Sequence, residues 1–211
     1  MATLRRSAQL LDDPAWAGLA VRLTDPVLNV GERWAEAALT DLSALGTNWH
    51  EFVAQAVAGA HSARPTAKWE RGVGALLTNI GATAARTRVQ SWLSLVGTPR
   101  TRSLIESGPR RWGLVNERLD PFNVHVLRGL VLTLPLMEPD EGTVSMLGSL
   151  VDTCTHPVGE HGPRDLRVAN AAVNALSRMG DAAALEELRL LAVRTSHGIT
   201  RSLIVRRIAG R

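Results

Sequence analysis

Cysteine is nearly absent from this 211-residue chain: Cys154 is the only one. A lone thiol excludes an internal disulfide framework and any four-cysteine zinc site. Tyrosine is missing, phenylalanine occurs twice, and Lys68 is the only lysine. Every other cation is therefore arginine, whose very high pKa lifts the isoelectric point to about 10.7 while the formal net charge is only +4. Arginine in place of lysine, with many alanines and glycines, reads as the coding bias of a GC-rich bacterial genome.

Long apolar runs are also lacking. The most apolar stretch, Val126 to Met137, is 12 residues long and contains Arg128 and Pro135, whereas a membrane span needs about 20 apolar residues. Arg5 and Arg6 begin the chain as an export signal would, but Asp12 and Asp13 interrupt its apolar core. A cytoplasmic protein without a membrane partner is the expectation. Composition is otherwise globular, at 45% apolar and 21% charged. The length fits one domain or two small ones, and a chain of this size can bury roughly 70% of its unfolded surface.

Catalytic motifs are missing too. There is no G-x-S-x-G elbow, no H-E-x-x-H and no G-x-x-x-x-G-K-S/T loop. Gly72 and Gly74 beside Arg71 fall inside a helical pattern, which fits tight helix packing better than a phosphate cradle. Asp12/Asp13 and Glu186/Glu187 are adjacent pairs, so on a helix their side chains diverge by roughly 100° and cannot share one site. Cys154, His156 and His161 form C-x-H-x₄-H, a candidate metal grouping; the competing reading is a helix end followed by an exposed turn containing Gly159 and Gly162. No catalytic residue, metal or cofactor is expected, and Cys154 is expected to be a buried apolar residue.

What the chain does have is helical periodicity. In Val168–Met179 the apolar positions 168, 172, 176 and 179 lie on one helix face. Gly180 follows as a stop signal, and Asp181 as the next N-cap. Helices are expected near 3–11, 14–24, 31–45, 47–61, 66–80, 82–96, 121–137, 141–156, 165–179, 182–196 and 199–209. Thr47 and Thr66 both precede a tryptophan as capping hydroxyls, Pro135 should end its helix near Leu134, and 98–120 reads as an irregular loop. Pairs at 66–96, 121–156 and 165–196 recur with a period of roughly 35–50 residues, the signature of stacked helical repeats. The fold class is thus all-α, an α-solenoid of antiparallel helix pairs in the HEAT/armadillo style with about ten or eleven helices. Residues 1–46 read as N-terminal helices with a capping role open to them, and 47–211 as one HEAT-like domain.

Several strings carry a more particular likeness: Trp69 with Leu76-Leu77, then Trp92-Leu93 through Leu95-Val96-Gly97-Thr98-Pro99-Arg100-Thr101. They continue as Asn123 with Leu127-Arg128-Gly129-Leu130-Val131, and Val168-Ala169-Asn170-Ala171-Ala172-Val173-Asn174-Ala175-Leu176-Ser177-Arg178-Met179. Over about 47–208 they resemble the helical-repeat region of a large bacterial family. Its members commonly add a C-terminal domain of unknown function, sometimes a WGR domain, and some are labelled molybdate-metabolism-regulator-like. The resemblance implies a helical repeat and supplies no catalytic residue.

Charge is unevenly placed. Between Glu70 and Glu106 there is no acid, while Arg71, Arg86, Arg88, Arg100 and Arg102 fall in that window. If they converged on one face they could grip phosphates, with Arg110, Arg111 and Trp112 adding guanidiniums and a stacking ring. The competing reading has these arginines solvated and Trp112 anchoring its loop. Trp34, Trp69 and Trp92 read as core anchors and Trp49 as partly exposed. Two functions follow: a non-catalytic scaffold binding a protein partner, or a nucleic-acid-binding repeat, at its extreme like the alkylpurine DNA glycosylases.

Overall fold

The computed structural model describes residues 28–60, 65–103 and 114–210. Helices expected at 3–11 and 14–24, together with Arg110, Arg111 and Trp112, lie outside the described residues. Within them the chain is all-α. The helices are α1 (Arg33–Leu45), α2 (Thr47–Gly59), α3 (Ala67–Ile80), α4 (Ala82–Leu93), α5 (Asn123–Thr133), α6 (Glu141–Thr155), α7 (Leu166–Met179), α8 (Ala182–Arg194) and α9 (Gly198–Ala209). No strand occurs among the described residues, only an isolated bridge between Pro157 and Pro163. None of the described helices is long and apolar enough to cross a membrane.

Local chemistry sets most boundaries. Thr66 accepts the Trp69 amide at 3.3 Å, Asp140 the Thr143 amide at 2.7 Å, and Asp181 the Ala184 amide at 2.7 Å. Each thereby satisfies an amide that the first turn leaves unpaired. Thr47 does not do this: it is the first residue of α2, and Gly46, with φ of 82°, precedes the helix without a side-chain cap. Gly180 ends α7 in the left-handed region, where glycine has no Cβ penalty. At Pro135 the regular helix has already stopped at Thr133 and tightened into a 3₁₀ turn, Leu134–Leu136.

Consecutive helices pack on one another in α1–α2, α2–α3, α3–α4, α6–α7, α7–α8 and α8–α9, and α4 returns to α1. Beyond these, α2 packs on α5, α4 on α6, α5 on α7, α6 on α8 and α7 on α9. Helix α7 is therefore surrounded by α5, α6, α8 and α9. Its composition permits this: Val168, Ala169, Ala171, Ala172, Val173, Ala175 and Leu176 are all buried. Small residues let four neighbouring backbones approach, which an all-leucine helix would prevent. The α2–α5 crossing uses the same device at Gly129, where a Cβ would collide with the backbone of Ala56 and Val57.

One continuous core links these helices, with Trp34, Trp69 and Trp92 buried as expected. Trp49 differs from its expectation: it is buried, edge-on to Phe52 at 6.0 Å and to Trp92 at 6.3 Å between ring centroids. Its place in the first turn of α2 suggested exposure, but α4 covers that turn with Trp92. Cys154 is fully buried, and burial pushes its thiol far above the usual range, so it behaves as an apolar side chain.

Candidate functional site

The sequence from Leu28 to Glu36 enters α1 through a turn that depends on Gly31. Its φ of 112° is costly for residues with a Cβ, and a side chain there would strike Arg100 Nη2 and the Arg102 carbonyl. The loop after α4 lies against this turn. Thr101 N–H donates to the Gly31 carbonyl at 3.0 Å, and its hydroxyl donates to Glu36 Oε1 at 2.5 Å. Arg33 Nε donates to the Pro99 carbonyl at 3.2 Å.

Glu32 is the centre of this junction. Its Oε1 accepts the Asp120 amide at 3.0 Å and faces Arg100 Nη1 at 3.3 Å. Its Oε2 accepts Asn123 Nδ2 at 2.8 Å and Trp34 Nε1 at 3.1 Å. Asn123 also pairs with the backbone of Asn29, donating to its carbonyl at 2.9 Å and accepting its amide at 2.8 Å. Burial raises the Glu32 carboxyl above its usual range, opposed by the Asn123 and Asp120 hydrogen bonds and by the Arg100 charge. A perturbed acid beside a cleft is a standard candidate for proton transfer. Here three hydrogen-bond donors and the Arg100 charge surround its two oxygens, so it orders three chain segments.

Above this junction is a cleft of about 490 Å³. Leu95, Trp34 and Leu119 give it apolar wall, and Pro99 and Thr98 form one lip. Among the described residues, four arginines line it, Arg33, Arg100, Arg118 and Arg164, against two acidic residues, Glu32 and Glu117. Arg164 is braced by backbone: Nε donates to the Glu117 carbonyl at 2.8 Å and Nη1 to the Thr153 carbonyl at 3.2 Å. Gly97, with φ of 83°, forms the wall against Thr153 and Arg164, where any Cβ would clash with both.

Among the described residues of the expected anion surface, only Arg100 lines this cleft. Arg86 and Arg88 lie on α4 and point to different neighbours: Arg88 Nη1 is 3.0 Å from Asp41 on α1, and Arg86 Nη2 donates to the Glu138 carbonyl at 2.8 Å. Arg71 is exposed on α3, and Arg102 is exposed in the loop. The arginines that do gather, Arg33, Arg118 and Arg164, come from three separate stretches of sequence and belong to no charge run. Cys154, His156 and His161 do not assemble: the thiol is in the core while His156 is exposed, and no grouping of three metal-ligating side chains exists among the described residues.

Elsewhere, arginine joins helices. Arg178 reaches Glu70 at 2.6 Å, tying α7 to α3, and Arg194 bridges Asp152 at 2.8 Å and Glu187 at 2.5 Å across α6 and α8. Arg207 Nε donates to Asn174 Oδ1 at 2.9 Å, tying α9 to α7. Among the described residues, Arg33, Arg118 and Arg164 show no ion pair with a carboxylate. Comparison with protein-family models, with curated proteins and with solved structures finds no match to this chain.

Proposed function

We propose that this chain is a non-catalytic helical-repeat module that binds a protein partner through the cleft walled by Arg33, Arg100, Arg118 and Arg164. The cleft itself carries the reading: apolar wall, braced guanidiniums and backbone lips stand side by side, the mixture that peptide-binding surfaces use. The buried acid there supports it further, because Glu32 is saturated by donors and serves as a positioning group. Successive helix packing and the family-like strings are consistent with a HEAT-like repeat, a class that works by surface rather than by reaction.

The rival reading, a nucleic-acid surface, draws on the exposed Arg71 and Arg102 within the acid-free window. A pull-down from nuclease-treated native lysate separates the two. Retention of one defined protein, lost with Arg118→Glu and kept with Arg71→Glu, supports the partner reading. Recovery of nucleic acid alone at low salt, with steep salt dependence and sensitivity to Arg71→Glu, contradicts it.

A further inference from the structure

Building on the protein-binding reading, we propose that the partner segment is acidic, with a glutamate or aspartate carboxylate held among Arg100, Arg118 and Arg164. Three observations converge. Among the described residues the cleft is lined by four arginines and two acidic residues, and Glu32 already accepts from Trp34, Asn123 and Asp120, so positive charge is in excess among them. Arg100 is nine-tenths buried, its Nε donating to the Arg102 carbonyl at 2.9 Å and its Nη1 standing 3.3 Å from Glu32, so its charge is fixed at the cleft rather than free to turn away. Arg118 is exposed at the rim, where it meets solvent and an arriving charge first.

The size of the excess selects the ligand. A polyanion such as duplex nucleic acid needs a long row of cations, and here the exposed Glu117 breaks the rim while Arg86 and Arg88 are engaged elsewhere. One or two carboxylates match. Apolar wall beside the charges, at Leu95, Pro99 and Leu119, suits a peptide that alternates acidic and aliphatic residues. A second hollow of about 410 Å³ is lined in part by Ser94, Ser145, Ser149 and Thr153.

The test uses the ¹⁵N-labelled full chain and follows arginine Nε–H signals at constant ionic strength. The probes are a capped peptide of alternating glutamate and leucine, its glutamine counterpart, inorganic phosphate and duplex DNA. The Arg100 and Arg164 signals should shift saturably with the glutamate peptide, about ten-fold more tightly than with the glutamine one. Arg118→Ala should weaken that binding about five-fold and Arg118→Lys less, while Arg206→Ala on α9 should leave it unchanged. Equal binding of the glutamine peptide overturns the inference, as does an absence of saturable shifts. Phosphate matching the glutamate peptide would mean a small-anion pocket, and displacement by DNA a polyanion surface; either overturns it. Should the nuclease-treated pull-down still retain its protein through Arg118 while the glutamate peptide fails, acidity is wrong and the partner reading stands.

Discussion

Helix α7 and the turn before α1 are both buried, and they are held by opposite means. Around α7 the contacts are apolar and small, chosen by a 3.6-residue period that repeats along one short segment. Around Glu32 the contacts are polar and come from residues far apart in sequence: Asn29 meets Asn123 across 94 positions, and Thr101 meets Glu36 across 65. The first kind of region tolerates gradual repacking. The second depends on every member being present, because a buried donor or acceptor left alone is expensive. The cleft is built on the second kind, so its shape depends on a few specific bonds.

Substitution should expose this difference, most strongly at Glu32. Glu32→Ala leaves the Trp34 indole and the Asp120 amide without their acceptor, takes one of two acceptors from Asn123 Nδ2 and removes the ion-pair partner of Arg100, and should destabilise by about 3–5 kcal/mol, the usual result of removing one partner from a buried charged pair. Urea denaturation measures it, and the Arg100 Nε–H signal should change as well. Leu130→Ala, which leaves a cavity at a fully buried position of α5, should cost about 2–4 kcal/mol while leaving the cleft signals in place. Equal disturbance of the cleft by both variants would erase the contrast.

Glycines sharpen it next. Gly129→Ala forces α5 away from the Ala56 backbone and should cost about 1–3 kcal/mol. Gly74→Ala, in open space on α3, should stabilise by about 0.5–1 kcal/mol, since a Cβ there meets nothing within 4 Å and lowers unfolded-state entropy. Differential melting of the two proteins tests whether close approach, rather than glycine itself, is what position 129 requires.

The smallest expected effect is in pH. Glu32 has a raised folded-state value, so the folded protein binds its proton more readily than the unfolded chain. Its contribution to stability is therefore lost as pH rises from the ordinary glutamate range through the raised value. Asp140 is the reverse: hydrogen bonds from Thr143 and Gln90 and the charge of Arg86 hold its value down. Its contribution is present above the ordinary aspartate range and is lost as pH falls below it. Urea midpoints from pH 3 to 7 should show opposite slope changes for Glu32→Gln and Asp140→Asn.

The same contrast explains what could be read from the residues alone. Apolar spacing, Pro135, Gly180, Asp181 and Thr66 act within one or two turns, and among the described residues the helices they imply are present with ends displaced by a few residues. Trp49 was misjudged because its cover, Trp92, arrives from another helix. The cleft was not legible at all: Arg33, Arg118 and Arg164 belong to no motif, and contacts between segments far apart in sequence, Arg33 with Pro99 and Arg164 with the Glu117 and Thr153 carbonyls, bring them to one place. Arginine counting instead pointed to Arg86 and Arg88, which hold the Glu138 carbonyl ahead of α6 and Asp41 on α1.

Site-specific photo-crosslinking in native lysate tests the cleft as the working surface most directly. A photoreactive side chain at Glu117, on the rim, should capture one defined protein, and an excess of the glutamate–leucine peptide should abolish that capture. The same group at Arg189, on the exposed face of α8, should capture nothing in common with it. Identical products from both positions, or capture at 189 alone, would contradict the account.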